Sequence, residues 1–538
     1  MGLFLNTLSP ATLYAEIVKS TFFVDKTEFI GQILERVGTN NKYLCLTRPR
    51  RFGKTVMANM LGAFFCKAAS GVDIFSSLKI GADAQAMQQM HKYNIIYIDF
   101  SRVGNANTAY ETYIENIIAI LKNDLHQAYA EVPYREGSSV SEDLERIMAA
   151  TGERFIFIFD EWDAIFHAPF VTEADRKNYL LFLKDLLKDR AYVYLAYMTG
   201  VLPISKYTSG SELNNFAEYN MATMALYSDI FGFTDGEVDD LYRKYLAVTA
   251  KPQVTRAGLK LWYDGYHTAS GSLIYNPRSV VLALQNNQLY NYWTSSGPYD
   301  ELFYYIKNNV QAVRDDLALM VAGERVAVKI QEYAAMLLKL DTKQQIFSAM
   351  VVYGLLTYEN GRVFIPNKEL MDKFNELLMT KPSLGYINQL ALKSEEMLAA
   401  TLRGDTETMS KILEFVHNTE TPLLSYNNET ELSAIVNLIY LAARDRYYVQ
   451  REDKACLGYV DFIFYPYNHD DDCLILELKV DHTPEEAIAQ IKRKQYALKF
   501  AGTLGDARKR YTGRILAVGI GYDKKSKQHG CKVEVLER

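Results

Sequence analysis

Residues 48–55 read RPRRFGKT, and the last three, Gly53-Lys54-Thr55, end like a phosphate-binding loop. In the pattern G-x-x-x-x-G-K-[ST], backbone N–H groups wrap phosphate oxygens, the lysine neutralises them and the hydroxyl reaches magnesium. Arg48 stands where that pattern has its first glycine. Two other polar ends supply what such a loop needs. The run RFIFIFDEWD (154–163) stays apolar until Asp160 and Glu161. There a carboxylate can hold nucleotide-bound Mg²⁺ while its neighbour orients the attacking water. Farther on, Thr199 in MTG (198–200) suits a sensor of the terminal phosphate. Arg51, Phe52, Gly53, Lys54, Thr55, Asp160 and Thr199 are therefore the expected ATP-binding set, with Thr55 and Asp160 as magnesium ligands and Glu161 as the catalytic carboxylate. A basic surface turn beside a capped strand end would carry the same letters. Three polar ends meeting on one rim argue for the site.

A second group of chemical residues lies in GYVDFIFYPYNHDDDCLILELKV (458–480). Two apolar strands, 460–466 and 473–480, flank a polar tip. A hairpin folded about Asp470 sets Asp461 opposite Lys479 and next to Glu477. Glu477 and Lys479 are two apart and share one strand face. Two carboxylates offer hard oxygen ligands to Mg²⁺ or Mn²⁺. Such a metal activates water and stabilises charge on a phosphodiester, and the Lys479 ammonium positions that water. A bare D…E-x-K pattern also occurs on exposed strand faces. What strengthens it is AIAQIKRKQYALKF (487–500), read as one helix bearing Lys492, Arg493, Lys494 and Lys499, which could contact phosphates.

These residues need a scaffold. NKYLCLT (41–47), NIIYIDF (94–100), RFIFIFD (154–160) and AYVYLAYMTG (191–200) read as buried strands. Helical spacing appears at 56–66, about 106–130 and 173–189. Strand, crossover helix, strand is the signature of a parallel sheet, and ligands bind beyond the carboxyl ends of its strands. After Pro277 the chain turns helical, with Arg278 and Ser279 near the helix start. From about 300 to 425 it is mainly helical, interrupted by YGLLTYENGRVFIPN (353–367), whose Asn-Gly predicts a tight hairpin. An asparagine-capped amphipathic helix follows from about 427.

The length of 538 residues suits roughly three domains. With 49% apolar and 23% charged residues the composition is that of a globular protein. No apolar run approaches the ~20 residues that span a bilayer. MGLFLNTLSP has neither a basic n-region nor an acylation pattern, so the expectation is a cytoplasmic protein with no membrane partner. Five cysteines without a C-x-x-C pair read as reduced thiols, and zinc is not suggested. Net charge is −6, yet residues 482–538 carry 13 basic and 6 acidic side chains, leaving −13 on the rest. A basic end on an acidic body suggests a local polyanion contact; a solvated helix face would look alike.

FFVDKTEFI (22–30), RPRRFGKT, FDEWD, MTGVLPIS and YDGYH…IYNPRSV (263–280) together resemble the AAA-ATPase-like bacterial proteins that carry a C-terminal PD-(D/E)XK-type nuclease domain. The resemblance covers nearly the whole chain, with the motifs in the family's order. It implies that the arginine-rich loop is a usual form, and that Asp25 and Lys26 lie beside the nucleotide. Gln490 and Tyr496 match the Q-x₅-Y element of the related nucleases. The family also implies an acidic metal ligand on the preceding helix, either Glu429 or Glu431, between which spacing does not choose. Cys456-Leu457 stand where the family commonly has a glycine.

The expected architecture is α/β: a P-loop ATPase parallel sheet (1–295), a helical winged-helix-like connector (296–424) and an α/β PD-(D/E)XK nuclease-like domain (425–538). Expected partners are ATP with Mg²⁺ and a nucleic acid, DNA before RNA, with Mg²⁺ or Mn²⁺ at the nuclease centre; self-association stays open. The expected activity is ATP hydrolysis that gates metal-dependent cleavage. One rival is a nucleotide-switched regulator or DNA-binding protein with an inactive nuclease fold, and another is an ATPase acting on proteins. An intact Asp461, Glu477 and Lys479 favours cleavage, whereas the acidic body keeps the last alternative open.

Overall fold

The computed structural model describes residues 2–102, 109–204, 213–293, 310–321, 323–330, 340, 342–380, 382–384, 386–418, 429–455, 458–500 and 511–536. The chain divides into two compact units, residues 1–299 with 327–369, and residues 300–326 with 370–538.

The first unit is built on five strands: β1 (Tyr43–Thr47), β2 (Asn94–Asp99), β3 (Phe155–Asp160), β4 (Val193–Gly200) and β5 (Ala217–Asn220). Their order is β2-β3-β4-β1-β5, and every pairing is parallel. β1 and β3 are buried along their whole lengths. That is why they read as continuous apolar runs rather than alternating ones: both faces are covered. Register then decides which ends meet. Asp99 pairs with Asp160, Leu46 with Thr199 and Thr47 with Gly200, so three strands present polar residues at one carboxyl edge.

The helix Lys54–Phe65 starts at this edge, packs against β2, β3 and β4, and is covered by the helix Ser9–Val18. Crossover helices begin with reciprocal caps, Ser139 with Glu142 and Thr172 with Asp175, which satisfy N–H groups that the first turn leaves unpaired. A short ribbon, β6 (Tyr266–His267) with β7 (Leu273–Ile274), precedes the helix Pro277–Gln285, which Asn276 caps. The chain re-enters this unit near β8 (Val326–Ala327). The helix Lys343–Val352 leads into a hairpin of β9 (Thr357–Glu359) and β10 (Arg362–Phe364). At its tip Asn360 and Gly361 have φ of 48° and 80°, the two left-handed residues that an Asn-Gly turn requires.

The second unit holds the helices Tyr386–Arg403, Thr406–Asn418 and Glu429–Ile439 and a five-stranded sheet. The expected asparagine cap at 427–428 lies outside the described residues. The strands are β11 (Tyr447–Ala455), β12 (Gly458–Pro466), β13 (Cys473–Val480), β14 (Ile515–Asp523) and β15 (Gln528–Leu536), in sequential order. Only β13 with β14 is parallel, and the helix Pro484–Arg493 between them forms the crossover. Its first turn lies so close to β14 that a β-carbon on Gly519 would sit 2.3 Å from the Pro484 carbonyl. Glycine is required there by space, not by conformation.

Two expectations change here. The β12–β13 hairpin pairs Phe462 with Leu476, so the carboxyl of Asp461 comes opposite the Glu477 region rather than Lys479. The turn closes on the Asp471 N–H bond to the Asn468 carbonyl, nearer the first strand than a fold about Asp470. An even slip leaves each side chain on its face. The expected helix over 487–500 is two pieces: it runs from Pro484 to Arg493, capped by Thr483, and a separate 3₁₀ turn covers Tyr496–Phe500. Gln495 breaks it with a φ of 53°.

Candidate functional site

In the first unit, residues 48–53 form the turn between β1 and the helix Lys54–Phe65. Gly53 ends it with φ of 88°, and no atom would lie within 4 Å of an added β-carbon. Glycine is needed for the backbone conformation, since a β-carbon there costs about 1 kcal/mol. Lys54 is 3% exposed. Its Nζ lies 3.3 Å from the carbonyls of Arg48 and Pro49 and 3.4 Å from Glu161 Oε1, which holds the ammonium across the mouth of the loop. Phe52 is buried edge-to-face on Tyr266, 4.9 Å between ring centres, and anchors the turn from below.

Asp160 and Thr199 come together as the register requires, with the Thr199 hydroxyl donating to Asp160 Oδ1. Burial, then the neighbouring Glu161, pushes the Asp160 carboxyl up to about 6, while the hydroxyls of Thr199 and Thr55 pull the other way. Asp160 Oδ2 is buried with no hydrogen-bond partner. An orphaned hard oxygen beside the Thr55 hydroxyl at a phosphate loop fits Mg²⁺, which takes few protein ligands and keeps waters. Glu161 holds a φ of 49°. A left-handed glutamate costs of order 1 kcal/mol, and such strain gathers at working sites. Trp162 N–H donates to the Thr199 carbonyl, and Asp163 Oδ2 accepts the N–H groups of Val201 and Leu202 at 3.0 and 2.8 Å. The stretch after β3 thus fixes the turn after β4.

A cavity of about 580 Å³ opens on one side of the loop. Arg51, Phe52, Gly53, Lys54, Thr55 and Glu161 border its polar end, and Tyr14, Phe22, Val24, Phe231 and Val281 its apolar end. That division suits a nucleotide, phosphates at the loop and base among apolar walls. Lys26 and Arg278 also line it. Lys26 is paired with Glu237 at 2.7 Å. Asp25 instead ties a turn, accepting from Thr27 and from the Lys79 N–H at 2.7 Å. Ser279 donates to both oxygens of Glu369 at 3.0 Å rather than facing the loop.

Arg48, the residue that replaces the glycine, is 1% exposed. Its guanidinium donates to the carbonyls of Thr47, Tyr219 and Tyr227 and lies 4.7 Å from the Phe231 ring centre. Burial lowers its pKa to about 10. Arg51 donates to the Tyr292 carbonyl at 2.6 Å. Both arginines therefore brace the loop through backbone carbonyls.

In the second unit Asp461, Glu477, Lys479, Gln490 and Tyr496 gather around the β12–β13 edge. Asp461 Oδ2 accepts the Leu478 N–H at 2.7 Å. Glu477 Oε1 takes a bond from Gln490 Nε2, and Lys479 Nζ stands 3.3 Å from the same oxygen. Burial, then the charge of Asp461, raises Glu477 to about 7, and Lys479 opposes this. Tyr496 is buried nearby, its phenol pushed up to about 12 by burial and Glu477. Glu477 Oε2 is buried without a partner. With Asp461 alongside it offers hard oxygens to a divalent cation. Glu429 and Glu431 stand on the helix Glu429–Ile439, and their side chains lie outside the described ones. Among the described residues no three His, Cys, Asp or Glu side chains form a metal cage. Lys492 is paired with Glu534.

Sequence reasoning passed over Asp99, although its strand visibly ends in an acid, and Asp163 in the same FDEWD motif. Glu369 and Arg48 had no local signal, because their partners come from distant segments.

Residues 12–208 match the family described as Predicted AAA-ATPase, and residues 428–528 match the PD-(D/E)XK nuclease superfamily. An uncharacterized protein from the vnfD 5′ region of Azotobacter chroococcum mcd 1 is 28% identical over 284 residues. That match covers 51% of each chain, so this chain spans about half the length of that curated relative. Among solved structures, a Walker-type ATPase of Pyrococcus abyssi is similar at 12% identity and a TM-score of 0.37, over 64% of this chain and 95% of that one. The ORC2 protein of Aeropyrum pernix is similar at 11% identity and a TM-score of 0.30, over 66% and 94%. No helix among the described residues is long and apolar enough to cross a membrane. This chain carries an AAA-ATPase-like region followed by a PD-(D/E)XK nuclease superfamily region.

Proposed function

We propose that this protein hydrolyses ATP in its first unit and cleaves phosphodiester bonds of a nucleic acid, DNA before RNA, in its second. The observation that carries the first half is the meeting of Lys54, Thr55, Asp160, Glu161 and Thr199 at one sheet edge beside a cavity of about 580 Å³. Lys54 neutralises the terminal phosphates, and the helix N-terminus behind Gly53 directs N–H groups at them. Glu161 orients the attacking water, and Thr199 reads the terminal phosphate. Mg²⁺, held by Thr55 and Asp160, would supply charge neutralisation on the phosphates.

The second half is supported by the paired carboxylates of Asp461 and Glu477, with Lys479 and Gln490 on the same oxygen. A divalent cation bound there would lower the pKa of its water. Gln490 fixes the Glu477 rotamer and Lys479 balances charge at the reacting phosphate. ATP turnover gates cleavage. The test is purified protein with plasmid, linear and single-stranded DNA and with RNA, in ATP, Mg²⁺ and Mn²⁺ singly and together. Cleavage that needs metal and responds to ATP is the expected result. Metal-independent binding with no cleavage of any substrate would replace it with the regulatory reading.

A further inference from the structure

The three arginines of RPRRFGKT point to three fates, and only one remains to be explained. Arg48 is committed to carbonyls inside the fold, and Arg51 to the carbonyl of Tyr292. No hydrogen bond or ion pair of the Arg50 side chain occurs among the described residues. Arg50 lines a second, polar pocket of about 400 Å³, together with Thr55, Glu161, Asp163 and His167. Thr55 and Glu161 border both this pocket and the larger cavity, so the two meet at the mouth of the loop. A terminal phosphate bound between the Thr55 hydroxyl and the Glu161 carboxylate would therefore border the pocket that Arg50 lines. The Arg50 backbone is fixed as well, since its carbonyl accepts from Trp293 Nε1 at 3.3 Å.

We propose that Arg50 is a catalytic arginine supplied in cis, whose guanidinium bonds the γ-phosphoryl oxygens of ATP as charge shifts during hydrolysis. The inference rests on the ATPase reading above. The oxygen of water bonds to the γ-phosphorus while the bridging P–O bond breaks, and its electron pair stays on the β-phosphate of ADP. The proton of water passes to Glu161 and then to solvent, leaving inorganic phosphate. A planar fork of donors matches two phosphoryl oxygens at once, which an ammonium does not. Arginines placed in this way accelerate hydrolysis by about 10³- to 10⁵-fold.

The experiment compares wild type, Arg50→Ala and Arg50→Lys in the full chain. It reads ATP affinity, kcat, and retention of ADP with aluminium fluoride and Mg²⁺. Arg50→Ala should bind ATP within a few-fold of wild type, lose about 10³-fold in kcat and fail to retain the fluoride complex. Arg50→Lys should recover little of the rate, and because it keeps the charge and aliphatic stem it serves as the folding control, with thermal melts of all three. Hydrolysis by Arg50→Ala within about 3-fold of wild type overturns the proposal while leaving the ATPase reading intact. So does a loss of ATP affinity that matches the loss of rate, which would make Arg50 a ground-state ligand. If wild type neither binds nor hydrolyses ATP, the ATPase reading falls and this one with it.

Discussion

At the scale of single residues, the proposed roles separate binding from turnover at each centre. Lys54→Ala removes the buried ammonium between the loop carbonyls and Glu161. ATP affinity should fall by at least 10-fold, measured by isothermal titration; unchanged affinity would move the site elsewhere. Glu161→Gln keeps the shape and loses the base, so ATP should still bind while kcat drops by about 10²-fold or more. In the other unit, Asp461→Ala should abolish both Mn²⁺ binding and cleavage, because a cation held by two carboxylates cannot spare one. Lys479→Ala should keep the metal and lose rate. A Lys479→Ala protein that cuts at the wild-type rate would leave this ammonium with a structural role only.

The elements explain why those residues sit where they do. Arg48 joins the end of β1 to the Tyr219 carbonyl of β5 and to the Tyr227 carbonyl beyond it. Arg48→Met keeps bulk but leaves buried carbonyls unpaired, at a cost of about 3 kcal/mol. The melting temperature should fall by roughly 4 °C. A drop of less than about 2 °C would mean that the turn relaxes or admits water. This brace was illegible in RPRRFGKT, because two of its three acceptors lie 171 and 179 residues away. The four main strands, by contrast, could be read from their apolar runs and polar ends, since burial on both faces writes itself into local sequence. The broken helix after Pro484 was half legible. Thr483-Pro484-Glu485-Glu486 carries a start signal, whereas nothing in Lys494-Gln495 announces a left-handed residue. The hairpin register failed by an even number because turn geometry, not composition, sets it, and the face of Asp461 survived the error.

For the molecule as a whole, two predictions concern independence and pH. Lys54→Ala should leave Mn²⁺ binding in the second unit untouched, and Asp461→Ala should leave ATP hydrolysis untouched; calorimetry and phosphate release check both. The pH dependence centres on Glu369, which is fully buried. Its Oε1 accepts the N–H groups of Tyr292 and Trp293 at 2.7 and 2.8 Å, and Ser279 donates to it. Among the described residues Arg51, Tyr263 and Tyr292 are titratable groups around it. Burial raises its pKa from 4.5 to about 7 despite those hydrogen bonds. A raised carboxyl binds its proton more tightly in the folded state, so stability is full below pH 4.5 and is lost as pH rises through about 7. The shift corresponds to about 3 kcal/mol at most. Glu369→Gln keeps an oxygen for the two N–H groups and an amide for Ser279. Its melting temperature should therefore vary less between pH 5 and about 7.5 than that of wild type. Parallel melts that keep the wild-type slope would assign the slope to other groups.

The buried Arg48 also bears on how this loop can change over generations. A change of Arg48 to glycine would delete a buried side chain that donates to three carbonyls. Those carbonyls belong to segments that would have to find new donors in the same step. A glycine at position 48 is thus destabilising on its own, and tolerable only where other substitutions supply donors to the same carbonyls.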